Sequence, residues 1–437
     1  MFSTEIDRVR SPIMSRAWGI SLGTLLLITV VAALVSARTV PFLFPLTIVA
    51  FIGAALVRGN YQHILPKGGS VLWHLLVFFA YAALTAAWSA EPLTDFFVVA
   101  TALLATLGSL AVVQLCEVEP RDNLLHLGEG LWVGLVVGIL YLLAEILTKQ
   151  SIKIWLYNAI GIHEGQLAPA NYFTWSNNKI IAIARDDLAR NIAALALFLW
   201  PALLAMRGTV RLQWSTVLAV LTWLIAGVVI MLASHETSKL AFVGGIAAFV
   251  GARYAPRFTG RFVAVAWVIA CLGVLPSALL AYRYNLHNAS WLQGTAQHRI
   301  IIWNYTAQEV LKAPWLGVGA RTTYVLGPKL EPEIVTRQGE AFKRTLSTHS
   351  HSIYLQTWFE LGLIGATLLT LLGLSILQAV RALDTELKPY AYATFVTSAL
   401  MAASSYGMWQ LWFACLFGMC FAMFALAAAT VRTRAAP

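Results

Sequence analysis

Charge is scarce in this sequence. Asp, Glu, Lys and Arg make up 11% of the 437 residues and hydrophobic residues 59%, a balance that a water-soluble domain of this length could not shield. Cysteine is scarcer still. The four cysteines, Cys116, Cys271, Cys415 and Cys420, lie in or at the ends of apolar runs without ligand-like neighbours. They read as small core hydrophobes, not disulfides or a metal site. No internal repeat, appended soluble domain or nucleic-acid-binding motif is visible, which argues against nucleic acid as a partner. Arg8, Arg10 and Arg16 precede the first apolar run, but that run is too long for a cleaved signal and lacks a small-residue cleavage site. It reads as a retained anchor.

What the sequence does have is apolar runs of membrane-crossing length. They predict an all-α integral membrane protein, a single polytopic domain over 1–437, with about twelve transmembrane helices. The runs are 17–37, 41–57, 70–88, 95–116, 127–147, 190–206, 215–233, 239–253, 262–282, 352–380, 389–406 and 408–430. With the N-terminus in the cytoplasm, the short cytoplasmic segments hold Arg58, Lys67, Arg121, Arg207, Arg211, Arg253, Arg257, Arg261, Arg381, Lys388, Arg432 and Arg434, and the short loops opposite hold only Arg38 and Lys239. Positive residues favour the cytoplasmic side, long loops being exempt. Both termini are therefore expected in the cytoplasm, and loops 148–190 and 283–350 on the opposite face.

Those loops give the net charge of +10 its meaning. In 283–350, Arg283, Arg299, Lys312, Arg321, Lys329, Arg337, Lys343 and Arg344 outweigh Glu309, Glu331, Glu333 and Glu340. A translocated loop has no topological need for basic residues, so either an anionic ligand or a solvated loop beside anionic membrane lipids is implied. Loop 148–190 is rich in Asn and aromatic residues, as in Asn171-Tyr172-Phe173-Thr174-Trp175-Ser176-Asn177-Asn178, which suits packing over the membrane surface. Within 283–350, His298 to Lys312 predicts an amphipathic helix on or near the outer leaflet, stopped by Ala313-Pro314. Gly317-Val318-Gly319 reads as a flexible turn, too short for a nucleotide fingerprint.

The second loop closes on Thr348-His349-Ser350-His351-Ser352-Ile353-Tyr354-Leu355-Gln356, where basic, polar chain gives way to a new apolar run. A neutral imidazole there can take a proton near neutral pH, with access to both lipid and aqueous substrates. The alternative is an interfacial His bonded to a carbonyl.

His351-Ser352, nine residues, then Gly362-Leu363-Ile364-Gly365 resembles the pattern of the bacterial O-antigen ligase family, within a superfamily of membrane ligases and polymerases of lipid-linked glycans. His349 does not fit, because the corresponding spacing lands on Glu360. Arg299-Ile300-Ile301-Ile302-Trp303 and Pro314-Trp315-Leu316-Gly317-Val318-Gly319 are similar to the family's Arg-x-x-x-Trp and Pro-Trp/Phe-x-Gly-x-Gly segments, and Trp88-Ser89-Ala90-Glu91-Pro92 to its Trp-Ser-x-Asp/Glu-Pro loop. At Ser238-Lys239-Leu240-Ala241 a Lys stands where relatives often carry Arg, keeping the charge without the fork geometry.

The resemblance implies a GT-C-like glycosyltransferase architecture in the bacterial inner membrane, with its active site facing the periplasm. It also implies transfer of a glycan from undecaprenyl pyrophosphate to a sugar hydroxyl of the lipid A-core oligosaccharide. The near alternative is an O-antigen polymerase, and the distant one a transporter or flippase of the lipid-linked glycan. His351 would be the general base, with Arg299, Arg190, Lys239 and Arg185 stabilising pyrophosphate and His349, Ser352 and Trp303 supporting them. Each has a plainer reading. Arg299 can snorkel, Asp186 can pair with Arg190 at i,i+4, and Glu236 can pair with Lys239. No metal or other cofactor is expected. Of the acidic pairs in the outer loops, Glu331 and Glu333 or Asp186 and Asp187, neither has a His at ligand spacing, although hard cations can use such pairs through water.

Overall fold

A backbone crossing lipid has to satisfy its own N–H and C=O groups, and the apolar runs accordingly form helices. The computed structural model describes residues 12–65, 67–167, 169–329, 333–337 and 340–435, without the side chains of 12–16, 212, 333–337, 340–344 and 435. Arg8, Arg10 and Glu331, and the side chains of Arg16 and Glu333, lie outside the described part.

In chain order the helices are α1 (Pro12–Val35), α2 (Val40–Val57), α3 (Ser70–Thr85), α4 (Pro92–Val118), α5 (Arg121–Leu147), α6 (Ser151–Ala159), α7 (Ala189–Thr209) and α8 (Leu212–Leu232). They continue as α9 (Glu236–Tyr254), α10 (Pro256–Leu272), α11 (Val274–Arg283), α12 (Gly294–Val310), α13 (Thr322–Leu326), α14 (Ile353–Ala382), α15 (Lys388–Ala403) and α16 (Leu411–Ala435). Two antiparallel hairpins stand in the loops, β1 (Phe173–Ser176) with β2 (Lys179–Ile183) and β3 (Glu333–Arg337) with β4 (Glu340–Arg344).

The protein is an all-α, multi-pass integral membrane protein, but the expected count of about twelve spans is revised. Among the described residues nine helical stretches are long and apolar enough to cross: α1, α2, α3 with the turn that carries it on to Trp88, α4, α5, α7, α8, α14 and α16. A tenth is reached only if α10 and α11 count as one. The run 262–282, expected as a single span, is broken at Gly273, and its two helices meet at 68°. The expected spans 239–253 and 389–406 are helices too. However, α15 has only 16 residues, and α9 places Glu236 and Lys239 in its first turns and Arg253 in its last.

The chain falls into two compact units. The first comprises Met1–Leu65, Gly108–Ile246 and Cys415–Pro437. Its most extensive helix pairing is α1 on α5, made possible by glycine: a Cβ on Gly130 would stand 2.1 Å from the Gly23 carbonyl oxygen. Small residues let helices approach in this way where lipid gives no hydrophobic drive. Helix α7 is buried over almost its whole length. The 148–190 segment has a small core of its own, in which Phe173, Ile180 and Ile183 pack against Ile154, Tyr157 and Trp175. Asn158 fastens it by exchanging two 2.9 Å hydrogen bonds with the Ile180 backbone.

The second unit comprises Pro66–Leu107 and Ala247–Ala414. Its organising feature is a break in α14 at Gly362, where φ is 64° and ψ −164°. The segment 314–319 crosses this break. Val318 and Gly319 N–H donate to the Phe359 and Glu360 carbonyls at 3.1 and 2.9 Å, and Leu363 N–H donates to the Pro314 carbonyl at 2.8 Å. Tyr81 Oη donates to the Leu361 carbonyl at 3.2 Å. The expected flexible turn is therefore a fixed crossing: Gly317 takes φ 71° and Gly319 φ 99°, pressed against α14 and Ser89 respectively.

The helix expected at His298 to Lys312 runs over Gly294–Val310 instead, and it is not one-sided. Ile300, Ile301 and Ile302 are buried in succession, together with Gln297, Asn304 and Thr306, because α11 and α14 both pack on it. It is a packed internal helix, not a one-sided amphipathic one.

The Gly362 conformation is essentially open only to glycine, and an added Cβ would stand 2.3 Å from the Trp315 carbonyl oxygen. Gly362→Ala should therefore cost about 1–3 kcal/mol or more and lower the thermal midpoint in detergent by several degrees. Gly53→Ala, whose Cβ would meet nothing within 4 Å, should leave it unchanged. Equal midpoints for the two variants would contradict this account of the break.

Candidate functional site

Ser352 caps α14, its Oγ accepting from Leu355 N–H at 3.4 Å. Immediately before it, His351 is held at φ 56°, a left-handed conformation that a bulky residue adopts only when its surroundings impose it. Here they do. Trp303 Nε1–H donates to the Ser350 carbonyl at 2.9 Å, and Ser350 Oγ–H donates to the Ser352 carbonyl at 2.8 Å.

The imidazole is fixed as firmly as the backbone. Its Nδ1 lies 3.1 Å from the Ser405 carbonyl oxygen, which can only accept. The proton is thereby assigned to Nδ1, leaving the lone pair on Nε2. Burial above all, then His349 and Arg299, pushes the His351 pKa down to about 3, with the Ser405 contact working the other way. The ring is consequently neutral over the physiological range. His349 lies alongside, its ring centroid 4.2 Å from that of His351, and its Nδ1 is 3.2 Å from Thr348 Oγ1.

Arg299 is half-buried on α12, one helical turn before Trp303. Its Nη1 donates to Ser404 Oγ at 2.8 Å. Burial holds the guanidinium below its ordinary value, with Tyr406 acting in the opposite direction. Ser404 and Ser405 are neighbours, so one short piece of chain between α15 and α16 carries both the cation and the imidazole. Of the residues expected from the sequence, the structure brings His351, Arg299, His349, Ser352 and Trp303 together in the second unit.

Arg185, Arg190 and Lys239 belong to the first unit. Arg190 is half-buried in the first turn of α7 and Arg185 is exposed before it. Lys239 donates to Glu236 Oε1 at 2.8 Å, the local pairing that the sequence left open. Asp187 is engaged by Lys153 Nζ at 2.5 Å, whereas Asp186 is exposed.

Several residues were missed. Arg321, counted only as loop charge, is committed to carboxylates: its Nη1 donates to Asp95 at 2.7 Å and Glu91 at 3.3 Å, and its guanidinium lies over the Tyr324 ring. Asp95, fully buried, also accepts from Ser89 Oγ at 2.7 Å and from Glu91 N–H at 3.1 Å. Thus the Trp88–Pro92 loop serves as a clasp between α4 and the 314–324 segment.

Glu360 was noted only as the residue that spoils the spacing of His349. It is fully buried just before the break in α14. Oε1 accepts from Thr323 Oγ1, Thr323 N–H and Gln356 Nε2, at 2.6, 3.2 and 3.0 Å. Oε2 accepts from Arg321 N–H at 2.9 Å and from Trp409 Nε1–H. The signal available in the sequence was a carboxylate inside an apolar run, which is costly without partners.

Among the described residues no group of three or more His, Cys, Asp or Glu converges as a metal site would. The four cysteines are free and buried.

Residues 220–370 match the family model described as O-antigen ligase. A Rickettsia conorii protein provisionally named a polysaccharide ligase is 26% identical over 234 residues, covering 52% of this chain and 54% of the relative. A similarly named Rickettsia typhi protein is 23% identical over 302 residues, covering 67% of this chain and 65% of the relative. The chain thus spans between about half and two thirds of the length of these relatives. The matched segment runs from α8 into α14 and holds Arg299, Trp303, His349, His351 and Glu360. Over residues 220–370, which carry these side chains, the chain is similar to the O-antigen ligase family.

Proposed function

We propose that the protein is an O-antigen ligase, transferring a preassembled glycan from undecaprenyl pyrophosphate to a sugar hydroxyl of lipid A-core and so completing lipopolysaccharide. It would act in the bacterial inner membrane, with its site facing the periplasm and both termini in the cytoplasm, a topology that requires α9, α15 and the bent α10–α11 pair to cross in addition to the nine longer helices. The observation that carries this reading is the placement of His351 and Arg299 on the adjacent residues Ser405 and Ser404. A proton acceptor and a permanent cation next to each other suit a reaction in which a hydroxyl attacks and a pyrophosphate leaves.

In this reading the acceptor oxygen bonds to the anomeric carbon as the bond from that carbon to the pyrophosphate oxygen breaks. One displacement inverts the configuration. The hydroxyl proton passes to Nε2 of His351, and undecaprenyl pyrophosphate departs carrying the charge. Arg299 stabilises that charge as it develops, which accelerates the step because the contact is stronger in the transition state than before it. Because the leaving group is already a stable anion, it needs counter-charge more than it needs a proton. No metal is required in this scheme. A groove of about 440 Å³ in the second unit, between the start of α4 and Trp409 and lined by Leu93, Phe97, Val98 and Leu411, offers apolar walls for a lipid chain.

Reconstitution with purified lipid-linked donor and lipid A-core should yield glycosylated lipid A-core without a nucleotide sugar. Movement of the donor with no covalent product would refute the enzyme reading, and elongation of lipid-linked glycan alone would make the protein a polymerase. In the same assay His351→Ala should lower turnover by roughly 10²–10⁴-fold, as removal of a general base does, and His349→Ala should lose much less. Because burial pushes the His351 pKa down to about 3, kcat/KM should show no acid limb from this residue between about pH 5 and 8. An inflection near 6.5 that vanishes in His351→Ala would show the ring to be solvated instead.

Arg299→Ala should cost roughly 10²–10³-fold, like the loss of an oxyanion donor, and Arg299→Lys should recover only part of this. Undiminished turnover in a well-expressed Arg299→Ala would leave the residue a structural cation. Parallel alanine substitutions at Arg190, Arg185 and Lys239 measure their contributions to phosphate binding separately. Activity should also survive exhaustive chelation. Loss of activity that Mg²⁺ or Ca²⁺ restores would instead turn attention to Glu331, Glu333, Asp186 and Asp187.

A further inference from the structure

The connection between α15 and α16, residues 404–410, touches the candidate site at every step. Ser404 Oγ accepts from Arg299, and the Ser405 carbonyl accepts from His351. A Cβ on Gly407 would lie 3.0 Å from His349 Cβ, so the backbone there is pressed against that ring. Met408 N–H donates to Gln356 Oε1 at 3.1 Å, and Trp409 Nε1–H donates to Glu360. Gln356 in turn donates to Glu360 at 3.0 Å.

The connection therefore hangs on α14 by two side chains a helical turn apart, Gln356 and Glu360. It hands two contacts back to the base and the cation. A carbonyl can orient an imidazole only if the chain bearing it is immobile, and what immobilises this one is the buried carboxylate and the indole that reaches it. Neither is described by the histidine and arginine pattern in the sequence.

We infer that Glu360 and Trp409 are positioning residues for His351: through the 404–410 connection they hold the Ser405 carbonyl against Nδ1 and so keep the Nε2 lone pair aimed outward. The inference deepens the ligase reading and rests on it for the consequence in rate, but its structural content can be measured without turnover. Of the two, Trp409→Phe is the cleaner change. It deletes the indole N–H and leaves Glu360 with its contacts to Thr323, Gln356 and Arg321. Glu360→Gln keeps an acceptor on one side but turns an amide toward two N–H donors on the other.

The test uses the full-length protein in detergent or nanodiscs. With nitrogen-15 in histidine only, ring signals are assigned to His351 by comparison with His351→Ala. Wild-type protein should show one tautomer, protonated at Nδ1. Trp409→Phe should show a mixture, at a thermal midpoint close to wild type. In the transfer assay Trp409→Phe should lower kcat by roughly 10–10²-fold, the scale expected for a slightly misplaced catalytic group.

Combining Trp409→Phe with His351→Ala should add nothing to the loss caused by His351→Ala alone, because groups acting through one another are not additive. Losses that multiply in the double variant, or a single Nδ1-protonated tautomer in both Trp409→Phe and Glu360→Gln, would overturn the inference. Were Glu360→Gln to fail to fold, Trp409→Phe alone would decide. A wild-type protein that transfers nothing while Trp409→Phe still scrambles the tautomer would count against the ligase reading and not against the positioning role.

Discussion

A helix cannot be interrupted near a membrane without leaving backbone groups in need of partners, and most of the second unit follows from how α14 meets that requirement at Gly362. The carbonyls and N–H groups around the break are taken up by the 314–319 segment and by Tyr81. That arrangement brings the Pro-Trp-Leu-Gly-Val-Gly segment, α13 and the clasp of Asp95 and Arg321 against the same turn of helix. The carboxylate of Glu360, one residue before the last intact turn ends, finds its donors there. The site is thus built around a backbone interruption, with side chains added to it.

Two arginines of the same loop show how differently the fold can engage a guanidinium. Arg321 sits between Asp95 and Glu91 and over Tyr324, so its charge is consumed by the fold. Arg299 donates to the Ser404 hydroxyl beside the His351 imidazole. In composition the two are equivalent, and both add to the positive balance of residues 283–350. Only the partner separates them. A similar division applies to Lys239, whose ammonium is shared with Glu236.

The membrane class was legible from apolar runs, since burying twenty successive apolar residues leaves few alternatives to a helix. The span count was less so, because hydropathy cannot tell a crossing helix from the two pieces of α10 and α11 or from the short α15. The histidine and Arg299 were legible because a motif places them. The serines that hold them, and Trp409, were not, because they come from parts of the chain about fifty to a hundred residues away; Glu360 lies close to His351 in sequence, but its partners Arg321, Thr323 and Trp409 do not, and such hydrogen bonds have no sequence period. The helix at Gly294–Val310 was seen, but its surroundings were misjudged: periodicity reports one apolar face, whereas two neighbours bury this helix on both sides.

Unit 1 carries a different consequence, one of timing. Its first helix fits against α5, made more than eighty residues later, and its glycines Gly128 and Gly208 are shaped around Thr430 of α16. Cys420 of the same helix donates to the Leu197 carbonyl of α7. A chain inserted span by span from its N-terminal side must therefore keep α1, α5 and α7 provisionally housed in lipid until α16 emerges from the ribosome. Contacts of such long sequence separation form late and slowly, so the interior of this unit closes only after α16 has been made.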